Sequence, residues 1–179
     1  MRDYYHSIKE KGKIKSIQEM RTMSTYKVFG YQEHHKFYDE NAYWDATHYI
    51  TNPQKAVYTG GCNLTSLDTA SKEMEETAES FGKNSGKRIR HSELSFSREE
   101  GVTAEQANQF AQAIIQHYAP EYQIMYAVHD NTENVHIHFV MNQISYVDGH
   151  RYQGKKKDYY DFMRHIGAVT HLPVIPVRS

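Results

Sequence analysis

A single cysteine, Cys62, is all the thiol this chain of 179 residues contains. An intramolecular disulfide is therefore excluded, and nothing in the composition asks for an oxidising compartment. No run approaches the roughly 20 apolar residues of a membrane span, and no secretory signal opens the chain. A cytoplasmic protein without membrane insertion is the expectation. Net charge is also missing: 21 Lys+Arg against 22 Asp+Glu leave −1, which argues against a uniformly basic nucleic-acid binder. No internal repeat and no linker divides the sequence. With 39% hydrophobic and 13% aromatic residues, it has the makings of one folded domain with a real core.

Histidine and tyrosine are abundant instead, at 12 and 15 residues. Charge is segregated along the chain. Lys9, Lys11, Lys13 and Lys15 form one basic run, Lys83, Lys87, Arg88 and Arg90 a second, and Arg151, Lys155, Lys156 and Lys157 a third. Acidic residues gather at Glu73, Glu75, Glu76 and Glu79. Such separation permits a positive face on a nearly neutral protein.

Residues 1–25 read as a polar N-terminal arm and 26–179 as the folded domain. A short strand is predicted at 26–32. A helix follows at 38–50, capped by Asp39, with Ala42, Ala46 and Ile50 on one face and Pro53 as its stop. A strand at 56–63 ends at Gly60-Gly61. A second helix at 66–81 opens with Thr65 and Asp68 as a capping box and carries a stripe of Leu67, Ala70, Met74, Ala78 and Phe81. A strand at 88–97 leads to a third helix, capped by Thr103 with Gln106 three residues on and closed by Pro120. Two strands, 122–129 and 134–144, form a hairpin, with a turn at Asp148-Gly149, a short strand at 150–153 and a last helix at 158–169. Paired strands with helices between the pairs give an α+β domain, a central antiparallel sheet of about five strands flanked by helices.

Strand alternation puts His136 and His138 on one face and Val135, Ile137 and Phe139 on the other, which is left to pack on a helix. In a hairpin, His129 at the end of the preceding strand lies beside that pair. Three imidazoles then converge and leave coordination positions open for a substrate oxygen or water, an arrangement more often catalytic than structural. Spacing alone leaves zinc hydrolysis, oxygenase chemistry and phosphoryl transfer open.

The segment HDNTENVHIHFVMN (129–142) resembles the third motif of conjugative relaxases, HUH endonucleases that nick DNA at an origin of transfer, and is most similar to the MobP type. HYITNPQK (48–55) resembles the first motif and FGKNSGKRIRHSELSFS (81–97) the second. GVTAEQAN, at the start of the following helix, also agrees. The resemblance implies the HUH relaxase fold and a strand-specific transesterification that leaves a 5′-phosphotyrosine link and a free 3′-OH. It implies Tyr49 as nucleophile and His129, His136 and His138 as ligands of a divalent metal, Mn or Mg with Zn as the alternative. Ser95 and Asn142 match polar residues of the second and third motifs and are candidate DNA contacts.

Some relatives carry a histidine where Asp130 stands, so Asp130 and His91 are both candidates to assist catalysis. Glu93 shares a strand face with His91 and is read as a half-buried polar residue. Arg88, Arg90, Arg151, Tyr152, Lys155, Lys156 and Lys157 are candidate DNA contacts beside the active site, with Tyr152 as a base stack. The implied partners are single-stranded DNA, accessory relaxosome proteins and a coupling protein, with the domain itself monomeric. Further C-terminal regions are expected beyond Pro173, Pro176 and Ser179. Two alternatives remain: a rolling-circle replication initiator or single-strand transposase using Tyr159 or Tyr160, and an inert DNA-binding HUH module.

Overall fold

The structure, a computed structural model, describes residues 22–30 and 39–177. In chain order the elements are β1 (Ser24–Val28), α1 (Ala42–Ile50), β2 (Ala56–Cys62), α2 (Ala70–Ser80), β3 (Ile89–Ser95), α3 (Ala104–Ile114), β4 (Ile124–His129), β5 (His136–Asn142), α4 (Lys156–Thr170) and β6 (Val174–Val177). The strands form one sheet in the order β2-β4-β5-β3-β1-β6. All neighbours pair antiparallel except β1 and β6, which are parallel.

Helices cover both faces, and the alternation of side chains along the strands decides which residues each helix meets. On one face Ile89, Met125, Ala127 and Val140 pack with Tyr43, Ala46 and Ile50 of α1 and Ala70, Met74 and Ala78 of α2. On the other, Leu94, Tyr126, Ile137, Phe139 and Met141 pack with Ala107, Ala111 and Ile114 of α3 and Phe162, Met163 and Ile166 of α4. The strand face opposite His136 and His138 is thus the larger core. The central strand β4 is buried along its whole length, as a strand covered on both sides must be. Among the described residues no helix is long and apolar enough to cross a membrane.

The expected α+β class is what forms, with one strand more than expected. Val174–Val177, read in sequence as a tail past the last helix, pairs alongside β1. Pro176 is tolerated because β6 is an edge strand. β1 begins at Ser24, so the division between residues 25 and 26 falls inside a strand. Its N-terminus is anchored where Glu100 accepts bonds from the Ser24 backbone and hydroxyl at 2.9 and 2.7 Å. Residues 1–21, which hold most of the arm and its lysine run, lie outside the described residues, as do 31–38, 178 and 179.

Several local expectations hold and others shift. The Thr103–Gln106 capping box forms in both directions. At α2 the expected box gives way to another device: the helix begins only at Ala70, and the Glu73 carboxylate reaches back to the Thr65 and Ser66 amides at 2.7 and 3.3 Å. Asp39 lies three residues ahead of α1, and its carboxylate accepts from the Asn41 amide at 3.1 Å. The strand expected at 150–153 reduces to one bridge, Ile144 to Arg151, because Gly149 turns the chain sharply (φ 73°).

The Gly60-Gly61 pair is explained by close packing rather than by a turn. A Cβ on Gly61 would sit 2.6 Å from the Ile124 carbonyl oxygen, a backbone atom held in the β2–β4 ladder. Gly61→Val is expected to cost about 1–3 kcal/mol and to lower the melting temperature by roughly 3–10 °C, read by circular dichroism. An unchanged melting temperature would mean that the ladder yields at this point.

Candidate active site

The site rests on the register of β4, β5 and β3. His129 stands directly opposite His136, and on the other side of β5 His136 faces Ser95 and His138 faces Glu93. Directly opposed residues share a face, so His129, His136, His138, Glu93 and Ser95 all lie on the α1 side of the sheet. One nitrogen from each of the three histidines lies within 4.8 Å of the others. Their ring centroids are 4.6–5.2 Å apart.

Each imidazole has one nitrogen committed elsewhere. His129 Nε2 is 2.6 Å from the Ile50 carbonyl, and His136 Nδ1 is 3.0 Å from the Asn134 carbonyl. A carbonyl only accepts, so these two nitrogens carry the protons, and the remaining nitrogen of each ring is a lone-pair donor. His138 Nδ1 faces Nε2 of His91 at 3.1 Å. The donor set therefore suits a divalent cation: three imidazoles on one face, two of them with the tautomer set by a carbonyl, and room for further ligands.

The bond to Ile50 also places the nucleophile candidate. The last carbonyls of a helix lack intrahelical partners, and His129 satisfies that of Ile50 at the end of α1. The adjacent residue is Tyr49. Its ring stands edge-on to both His91 and His138, with centroids 5.8 and 5.7 Å away. Tyr49 is 48% exposed, whereas Tyr43 on the same helix is buried. The Lys55 ammonium lies over the Tyr49 ring at 5.1 Å.

Two further residues border the site, one of which, Lys55, escaped the sequence reading. Glu93, taken for a half-buried polar residue, has a carboxylate oxygen 3.5 Å from His138 Nε2. The signal was available in the alternation of His91, Glu93 and Ser95 along one strand face. Lys55 carried no such signal; the turn after α1, where its amide donates to the Asn52 carbonyl at 2.9 Å, brings it back over Tyr49. Asp130, by contrast, is exposed, and its carboxylate bonds to no histidine among the described residues.

The candidate DNA contacts separate into two groups. Asn142 is fully buried: its amide donates to the Met74 carbonyl and Gln123 Oε1, and its oxygen accepts from the Ile144 amide. Arg90 is 8% exposed, on the other face of the sheet, with its guanidinium 5.2 Å from the Tyr152 ring. For both, the expected DNA contact gives way to a place in the interior. Arg151 is turned inward onto the carbonyls of Lys83, Ser85 and Lys87. Tyr152 shares a hydroxyl contact with Tyr118 at 3.1 Å. Arg88 is bonded to the Asn84 carbonyl and lies 3.7 Å from Glu75. Lys155, Lys156 and Lys157 are exposed at the start of α4.

These basic loops do not adjoin the histidines as expected. The β3–β5 ladder runs from Ser95–His136 at one end to Ile89–Asn142 at the other, six residues or roughly 20 Å away. The alternative nucleophiles are not at the site either. The Tyr159 hydroxyl contacts the Tyr26 carbonyl at 3.5 Å, and α4 packs on the face opposite the histidines.

Burial dominates the electrostatics. It pushes the His138 imidazole down to about 2, helped by the neighbouring His91, His129, His136 and Lys55. It also lowers His129, against the opposing hydrogen bond to Ile50. Unfolded imidazoles take protons below about pH 6.5, whereas these two resist. Their contribution to stability is thus full above that pH and is lost as pH falls below it. The denaturant midpoint of metal-free protein is expected to drop between about pH 7.5 and about pH 5, and to drop less steeply in His138→Gln. Equal slopes would contradict the assignment. At neutral pH, Mn²⁺ or Zn²⁺ should raise the melting temperature of the wild type. The half-buried His136 allows His136→Ala to fold yet lose that increment.

Comparison with known proteins gives this geometry a family. Residues 49–170 match the family model described as Relaxase: MobA/VirD2-like, nuclease domain. Two proteins of Staphylococcus aureus, each named Protein rlx, are similar over part of the chain. One is 33% identical over 95 residues, 53% of this chain and 28% of the relative. The other is 31% identical over 91 residues, 51% of this chain and 29% of the relative. The chain thus covers under a third of the length of these relatives. The matched segment holds Tyr49, the three clustered histidines and most of the sheet, and the chain belongs to the relaxase family, through its MobA/VirD2-like nuclease domain.

Proposed function

We propose that this domain nicks one strand of DNA at an origin of transfer by transesterification at Tyr49, for conjugative transfer or mobilisation. The observation that carries the reading is the placement of the exposed Tyr49 ring edge-on to His91 and His138, at the rim of a three-imidazole cluster. The residues from β1 onward serve as the nuclease domain and the polar residues ahead of it as an arm. It acts as a monomer in the cytoplasm on single-stranded DNA, with accessory relaxosome proteins and a coupling protein as partners.

The chemistry follows from the residue types. Tyr49 Oη attacks the scissile phosphorus, a P–O bond to tyrosine forms, and the bond to the 3′-oxygen breaks. The tyrosine gives up its proton and the leaving 3′-oxygen gains one. The new phosphoester keeps the bond energy, so the free 3′-OH can reverse the reaction without ATP. His129, His136 and His138 would hold a divalent cation, Mn or Mg with Zn as the alternative. When bound, such a cation offsets phosphate charge and polarises the P–O bond. His91 is a positioning residue in this scheme. Its Nε2 lies 3.1 Å from His138 Nδ1, a contact that holds the His138 ring plane. Ser95, opposite His136 at the end of the β3–β5 ladder, is close enough to the histidines to contact the DNA strand. The lysines at 155–157 lie far enough from the histidines to meet phosphates several nucleotides away.

Purified protein with Mn²⁺ and an origin oligonucleotide is expected to form an adduct that survives denaturation. Tyr49→Phe should reduce it below detection, at least about a thousandfold. Mass spectrometry of the adduct should find the nucleotide on Tyr49. Modification of Tyr159 or Tyr160 would instead support the replication-initiator or transposase reading. DNA binding without any adduct would support the inert module.

A further inference from the structure

Trp44 is the only tryptophan of the chain, and it is 57% exposed. It is not a loosely tethered side chain. Its ring stacks on the His48 imidazole with centroids 3.3 Å apart and planes at 26°. That imidazole is itself fixed one turn along α1, through His48 Nδ1 and the Trp44 carbonyl at 2.9 Å. The result is a two-ring aromatic plate on the solvent side of the helix that presents Tyr49.

Its position follows from the geometry of α1. Tyr49 lies five residues on, roughly 7.5 Å along the helix axis and about 140° around it, so a strand leaving Tyr49 must cross the outer side of α1 to reach Trp44. Toward its N-terminus α1 approaches the basic loop after α2, where the Arg88 guanidinium lies 5.9 Å from the Tyr43 ring. Toward its C-terminus Lys55 covers Tyr49. A strand with its phosphate at Tyr49, running back toward Arg88, passes over the Trp44–His48 plate. With the rise and the turn of the helix combined, and about 3.4 Å per nucleotide, the base above Trp44 is roughly four nucleotides from that phosphate.

We propose that Trp44, backed by His48, is a stacking subsite for one unpaired nucleobase of the DNA strand, close to the scissile phosphate at Tyr49. This rests on the functional reading above and adds to it a residue that grips the strand. Stacking on an aromatic face needs no particular base and needs that base unpaired, so the subsite selects single strand over duplex. Tryptophan is suited to this by its large, rigid ring and its few rotatable bonds.

The lone tryptophan is its own reporter. The chain is titrated with oligothymidylate while Trp44 emission is read, and binding is followed independently by anisotropy of the same oligonucleotide carrying a dye. The proposal expects emission to be quenched in step with binding, and much less by duplex of the same length. It also expects Trp44→Ala to weaken single-strand binding about tenfold and Trp44→Phe to stay within about threefold of wild type. Because Trp44 is exposed, both variants should retain the wild-type circular dichroism and the metal-induced rise in melting temperature. Binding with unmoved emission, equal quenching by duplex, or unchanged affinity in Trp44→Ala overturns this proposal alone. Absence of any DNA binding overturns the functional reading and this proposal with it.

Discussion

The register of one antiparallel ladder governs the site. β5 lies between β4 and β3, and its pairing sets His129 against His136 and Glu93 against His138. A slip by one residue would send the imidazoles of His136 and His138 into the apolar layer beneath and bring Ile137 and Phe139 up in their place. That layer is what prevents it. Ile137, Phe139 and Met141 are buried against α3 and α4, so the large core on one side of the sheet holds the polar site on the other in register.

Desolvated imidazoles are costly if charged, and the fold keeps them neutral. Burial lowers His138 and His129, and hydrogen bonds to the Ile50 and Asn134 carbonyls settle which nitrogen of His129 and His136 keeps its proton. A neutral, oriented lone pair is the form that binds a cation. The bond to Ile50 does a second thing. It ties the C-terminal end of α1 to β4, so the helix that carries Tyr49 is held at the histidine cluster by one of that cluster's own members. The same tie sets the course of α1 over the sheet, with Trp44 on its outer side.

The two kinds of basic residue behave differently for a physical reason. Arginines at 90 and 151 are turned inward, one against the face of Tyr152 and one onto a set of loop carbonyls that accept from its planar guanidinium. The lysines at 155–157 remain at the surface, where a compact ammonium stays hydrated. Charge runs in the sequence do not distinguish these fates.

The sequence by itself determined what depends on local periodicity. The two-residue repeat of His136 and His138 placed them on one face, and Thr103 with Gln106 marked the start of α3. The four-residue spacing on α1 identified Ala42, Ala46 and Ile50 as its buried side, and the ordered motifs pointed to Tyr49. What only the tertiary structure decided involves partners far apart in the chain: His91 with His138 across 47 residues, and His129 with Ile50 across 79. The enclosure of Asn142 and Arg90, the sixth strand beside β1, and the distance between the basic loops and the histidines belong to the same class. Side-chain alternation and helical periodicity are written in adjacent residues. Which strand edge meets which, and so which of many histidines, tyrosines and arginines come together, is settled only when the whole core closes.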